Sequence, residues 1–322
     1  MPAKQLRQHS TLATLETHVL CADFFRGKTT MFRTTTLAVL CCLGIAAAHA
    51  QQTSPTAPAS GDAQLSTVLD PARPTAERLR EFSALMQEAN AGDAIAQDIA
   101  GSWYWRGHAQ PGVVVEQDLT QARALLSHAA IQGRPGAMAK MAELELEAGR
   151  TFEAMLWAQV YGHYQPLETK RAHEKAHEDE DYTGFLLSRI YAKFDRKRMA
   201  EVGIVLNAFL AKYDATIRAG VEHSNEVAEH GNLHELKPKD YQLHAVPLTE
   251  PGVAEFFIVY GPDGQAVQVL PIVAYPDTSH HLAAKLVAIA QQIRMNSTKA
   301  PDLRYAVIPI TYVTGKYRVN KT

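Results

Sequence analysis

A chain of 322 residues with 46% hydrophobic and 20% charged residues has enough material for two ordinary domains with a buried core. Its formal charge of −2 gives no global electrostatic case for nucleic acid or acidic lipid as a partner. All three cysteines (Cys21, Cys41, Cys42) lie in the first 50 residues, so a chain without that leader has no cysteine catalysis, disulfide or Cys-ligated metal.

The leader reads as an export signal. Arg33 precedes an apolar run from Leu37 to Ala48 that ends in Ala48-His49-Ala50. That is the order of basic n-region, short h-region and small–x–small cleavage site. The run is shorter than the roughly 20 residues a bilayer span needs. Cleavage is expected after Ala50, leaving a periplasmic or secreted protein of formal charge −5 with no integral membrane segment. Leu40 before Cys41 argues against a lipoprotein site. Met31 just ahead of the h-region gives a short n-region of normal size, so translation starts either there or at Met1. Residues 51–73 open with Gln, Thr, Ser, Pro, Ala and Gly and are expected to form a disordered linker.

Residues 74–235 have helical periodicity almost throughout. The segment Asp93–Arg106 is rich in alanine and glycine on one side, which allows a neighbour close. Leu119, Ala122, Leu125, Leu126, Ala129 and Ala130 follow the 3–4 spacing of an amphipathic helix, with Asp118 to cap it and Gly133 to close it. Residues Lys197–Ala215 read as another amphipathic helix. An internal echo is present: Ala89-Asn90-Ala91-Gly92 is answered by Ala130-Ile131-Gln132-Gly133. Ala94-Ile95-Ala96 is answered by Ala137-Met138-Ala139, 43 residues on. Such a period marks stacked helix pairs.

On Gly92, Ala94, Ala96, Gly101, Tyr104 and Gly107, then Asp118, Ala122, Ala129, Ala130 and Gly133, the chain resembles the Sel-one-like repeats, relatives of the tetratricopeptide repeats. One repeat spans about Ala89–Gly133 and a partial second runs to about Tyr164, with Ala100 where the family has leucine. The resemblance implies an α/α solenoid that binds protein segments. Trp103, Tyr104, Trp105, Trp157, Tyr161 and Tyr164 are then either repeat packing, the favoured reading, or a peptide-binding surface. Of Trp103 and Trp105, one is expected to be exposed.

Residues 245–322 change pattern. Ala254–Tyr260 is β-prone, Gly261-Pro262-Asp263-Gly264 has turn chemistry, and Gln265–Val273 alternates, which together predict a hairpin. Ser279 is expected to cap a helix through Leu282, Leu286, Ile289 and Ile293. Leu303–Val313 returns as a strand in which Pro309 hints at an edge or bulge. This hairpin–helix–strand order is similar to the C-terminal domain of TonB-type energy transducers. The usual Tyr-Pro lead-in is missing, with Val246-Pro247 nearest to it, and Arg294-Met295-Asn296 replaces the usual Phe-x-Pro. The resemblance implies a docking domain whose strand edge accepts a partner's strand.

His173-Glu174-Lys175-Ala176-His177 satisfies H-E-x-x-H, with Glu201 at a distance fit for a third zinc ligand. The flanking run Glu178–Asp181 and Lys175 inside the motif favour a solvated charged helix. His230 and His234 repeat the i,i+4 spacing and His280-His281 sit at a helix start, without a carboxylate pattern to join them.

The resulting expectation is a multidomain chain: an α/α helical-repeat solenoid, then a small α+β domain. It is read as a non-enzymatic periplasmic adaptor without cofactor, catalytic or metal residues, binding protein partners of the cell envelope and not nucleic acid. The alternatives are a zinc-dependent hydrolase on His173, Glu174 and His177, and a TonB-like envelope energy transducer. Oligomeric state is open.

Overall fold

The computed structural model describes residues 60–110, 112–168, 182–231, 233–235, 251–276, 280–297, 302–313 and 316–319. The leader, the His173–His177 motif and Ser279 lie outside the described residues. Among the described residues the chain is mostly helical, with a small antiparallel sheet and one further helix set between its strands in sequence.

Eight helices come first among the described residues: α1 Ser60–Leu69, α2 Thr75–Ala91, α3 Ala94–Arg106, α4 Leu119–Ile131, α5 Pro135–Glu147, α6 Thr151–Glu168, α7 Tyr182–Tyr191 and α8 Met199–Gly231. Helices consecutive in sequence pack on one another from α1 to α7, and α8 returns along α6 and α4. The local chemistry explains the ends. The Asp93 side chain accepts from Ala96 N and starts α3, and Asp118 accepts from Thr120 N and Gln121 N and starts α4. Pro135 takes the first position of α5, where its missing N–H costs nothing. Gly101 of α3 has no room for a side chain, because an added Cβ would stand 2.8 Å from Leu126 Cγ of α4.

The segment expected to be a disordered linker, 51–73, contains α1. Its Leu65, Val68 and Leu69 are buried against the body. The polar flank at 51–61 concealed an apolar triplet at helical spacing.

The sheet holds β2 Gly252–Tyr260, β3 Ala266–Tyr275, β5 Arg304–Val313 and β6 Lys316–Val319 in the order β3-β2-β5-β6, every pair antiparallel. The Gly261–Gly264 turn joins β2 to β3, with Gly261 N donating to Gln265 O and Gly264 N to Gly261 O. A separate pair links β1 Leu233–Glu235 to β4 Ile293–Met295. Helix α9, His280–Ala290, lies between β3 and β4 in sequence. Ile293, expected as the last apolar position of that helix, stands in β4 instead. The helix ends at Ala290, Gln291-Gln292 turns the chain, and Ile293 packs under it as a strand residue. Pro309 lies opposite Glu255 of β2, just before the β6 pairing begins at Ile310, so its absent N–H breaks no described ladder.

Strand alternation sorts β2 between two layers. Val253, Phe257 and Val259 join the helical core, whereas Ala254, Phe256, Ile258 and Tyr260 join Leu282, Leu286 and Ile289 of α9. All nine residues of β2 are buried. Among the described residues the layers therefore run helices, sheet, then α9, with β2 at the centre.

Candidate functional site

Helix α5 is buried on every side, yet three of its buried residues carry charge: Lys140, Glu143 and Glu145. A charge without water must be paired and hydrogen-bonded to persist. Each of these three is.

Lys140 exposes none of its surface. It donates to Asp98 Oδ1 of α3 at 2.7 Å and to Glu255 Oε2 of β2 at 2.5 Å. Arg134 stands 3.5 Å from the other Asp98 oxygen, and the Tyr275 hydroxyl donates to Glu255 Oε1 at 3.2 Å. One turn on, Glu143 accepts from Arg189 Nη1 at 2.6 Å and from the Tyr182 hydroxyl at 3.0 Å. Tyr182 and Tyr275 meet edge to face with ring centres 5.8 Å apart, which joins the two centres. Glu145 accepts from Arg123 Nε at 2.8 Å and from Arg150. At the end of α5, Glu147 accepts from Trp105 Nε1 at 2.8 Å and from Arg106 at 3.2 Å. Thus α5 is tied to α3, α4, α7 and β2 through ionic or hydrogen-bonded groups, and through Glu255 to Tyr275 of β3.

Burial pushes the Glu255 carboxyl above its ordinary range; Lys140 opposes the shift and Asp98 adds to it. Glu143 is raised for the same first reason, against Arg189 and Tyr182. A raised carboxyl binds more protons in the folded chain than in the unfolded one. Its contribution is fully present below the ordinary value of 4.5 and is lost as pH rises through the raised value. Urea-unfolding free energies of wild type and Glu255→Gln should therefore diverge with pH, the wild type losing ground above about pH 4.5. The opposite trend would mean that attraction to Lys140 outweighs the burial of Glu255.

Chemically this lattice fastens. Its central charges are engaged and almost wholly enclosed, so Lys140, Asp98 and Glu255 offer no surface to a substrate. A pocket near Leu69, Pro71, Trp103 and Pro271 has a volume of about 30 Å³, room for a water or two.

Of the expected metal ligands, Glu201 is exposed and held by Arg198 at 2.8 and 2.9 Å. No group of three His, Cys, Asp or Glu able to hold a metal occurs among the described residues. His230 lies in the last turn of α8 and His234 in β1, in separate elements.

The aromatic set is packing. Trp103 and Trp105 are both buried, against the expectation that one would be exposed. They leave α3 in different directions, and α3 has neighbours on both sides. Trp103 stacks on Phe82 of α2 at 5.6 Å, whereas Trp105 meets Glu147 of α5 and Tyr275 of β3. Trp157 packs edge-on to Phe209, Tyr161 to Tyr182, and the Tyr164 hydroxyl donates to Asp214.

Sequence reasoning missed Lys140, Glu143 and Glu255. A signal was present: Lys140 is the one charge in Ala137-Met138-Ala139-Lys140-Met141-Ala142, and Glu255 the one charge in an otherwise apolar run from Val253 to Tyr260. A lone charge in a doubly covered segment needs a buried partner, and these two are each other's.

No helix among the described residues is long and apolar enough to cross a membrane. No protein-family model, curated protein or solved structure matches the chain.

Proposed function

We propose that this chain is an exported, non-enzymatic adaptor of the cell envelope. Its helices act as a short Sel-one-like α/α solenoid for one protein partner, and its α+β module acts as a TonB-C-like docking unit for another. The observation that carries the reading is a hairpin design used twice. Gly92 after α2 and Gly133 after α4 both have left-handed backbone, and each is followed by a helix that buries alanine (Ala96, Ala139) against its neighbours. The enclosed state of the charge lattice fits a scaffold, because those charges serve internal cohesion.

Strand addition needs an edge with unsatisfied backbone groups. On β3, the carbonyls of Ile272 and Ala274 already accept from Gln110 and Arg106. The docking edge in this reading is therefore the β6 side of the sheet.

Photo-crosslinking in cells tests the proposal with the full chain, from Ile95 on the helices, 40% exposed, and from position 318 of the edge strand β6. The expected result is a reproducible envelope protein captured from at least one position, with a mature start at Gln51 by mass spectrometry. No adduct from either position, or a chain that keeps its leader in the cytoplasm, overturns it.

A further inference from the structure

Helix α8 has 33 residues, against 10 to 18 for each of the others. Its inner stripe packs on the body through Val202, Phe209, Ile217 and Val221, all buried. The 3₁₀ turn Arg196–Arg198 runs straight into it. From that turn onward the outer side follows a second stripe with alternating spacings of four and three: Lys197, Glu201, Ile204, Ala208, Ala211, Ala215, Arg218 and Glu222. All eight are exposed, and Ile204 at 61% is one of the two most exposed large apolar side chains described.

That spacing is the heptad pattern of a helix that packs on another helix. The body already covers the inner stripe, so the outer one serves something else. The charges identify it. Lys197 and Glu201 stand at one end, Arg218 and Glu222 at the other, and the apolar residues lie between. An antiparallel second copy, related by a dyad between residues 209 and 210, brings Lys197 opposite Glu222 and Glu201 opposite Arg218. The same register sets Ile204 opposite Ala215 and Ala208 opposite Ala211. Every layer is then opposite charge on opposite charge or apolar on apolar. Because the contact is two-fold, each pairing occurs twice. A parallel second copy would set each charge against itself.

We infer that the outer face of α8 is a homodimer interface, an antiparallel two-helix seam with the register just given. The seam is about 39 Å long, from 26 residues at 1.5 Å each. Alanine at its centre lets the axes approach toward the low end of the usual 8–10 Å. Two groups adjust without breaking their present bonds. Glu201 keeps Arg198 while facing the partner copy's end of the seam, and Arg218 keeps Asp214, which it contacts at 2.9 Å. The inference is independent of the adaptor reading, since it concerns the face of α8 that the body does not use.

Sedimentation velocity on the purified protein over a concentration series reads it directly. The wild type is expected as a dimer that dissociates on dilution. Ala208→Glu with Ala211→Glu places like charges in the central layers and should give a monomer with an unchanged helical circular-dichroism spectrum, because both positions face out. Lys197→Glu alone should weaken the dimer about tenfold, since two exposed ion pairs are lost per dimer. Adding Glu222→Lys should restore most of that loss. A monomer at every concentration, a dimer that survives the two alanine substitutions, or a K197E/E222K protein no tighter than K197E each overturns the inference.

Discussion

Lys140→Ala is expected to lower the stability of the folded chain by about 3–5 kcal/mol at neutral pH, the cost of removing one partner from a buried ionic group. The ammonium holds two carboxylates on different layers, Asp98 from the helices and Glu255 from the sheet. Without it, Arg134 still faces Asp98 at 3.5 Å, but Glu255 keeps only the Tyr275 hydroxyl in the described structure. A carboxylate in that position is left charged and poorly solvated, or it takes up a proton. The loss should therefore shrink as pH falls, because protonation of Glu255 removes the uncompensated charge. Adding Glu255→Gln to the Lys140→Ala chain should recover part of the stability at pH 7. Chemical denaturation of the two single variants and the double variant, at pH 5 and pH 8, closes the cycle. Additive losses would mean that Lys140 and Glu255 do not act as a pair.

Such a pair contributes less to net stability than to the choice of structure. Burying two ions costs several kcal/mol each before their attraction returns it, and an apolar pair of similar size often does as well. What an apolar pair lacks is direction. The helix-facing side of β2 presents Val253, Glu255, Phe257 and Val259 in alternation, and a shift of two residues along the strand would still place apolar groups on the helices. It would no longer place Glu255 on Lys140. On β2, register against the helices is thus specified by the contact of Glu255 with Lys140, between residues 115 apart in sequence.

That separation is why the contact was not legible in the sequence, although much around it was. Helix α4 could be read with its cap, since Asp118 and the apolar spacing from Leu119 to Ala130 are local. The β2–β3 hairpin could be read because the Gly261–Gly264 turn and its flanking alternation are local too. Where local pattern and tertiary cover disagree, the reading failed. Consecutive aromatics on α3 cannot all face one way, so an exposed tryptophan was expected, yet the helix has neighbours on both sides. Ile293 continues the spacing of α9, but pairing of β4 with β1 draws it out of the helix. The first helix was missed because the composition of its flank outweighed three apolar residues. A single sequence shows periodicity well and shows the number of covered faces poorly.

The echo between Gly92 and Gly133 sets two alike backbone positions in unlike surroundings. Both glycines end a helix with left-handed backbone, at φ values of 105° and 86°. An alanine at either position carries the backbone cost of that conformation, about 1–2 kcal/mol. Their surroundings differ. A Cβ at Gly92 meets nothing within 4 Å, whereas one at Gly133 would stand 2.5 Å from Val221 N of α8. From the other side, α8 presents Gly220 to the same crossing, where a Cβ would fall 1.9 Å from Gln132 O. Neither neighbour is a movable side-chain tip; both are backbone. Gly92→Ala should therefore cost only the backbone share. Gly133→Ala should add the cost of overpacking, about 1–3 kcal/mol or more, for a total of about 2–5 kcal/mol. Urea denaturation of the two variants side by side reads the difference. A clear excess at Gly133 locates the α4–α5 loop hard against α8 and makes that crossing the tie between the two hairpins and the long helix. Equal losses would mean that α8 can move away from the loop without penalty, and that the two glycines answer only to the ends of their own helices.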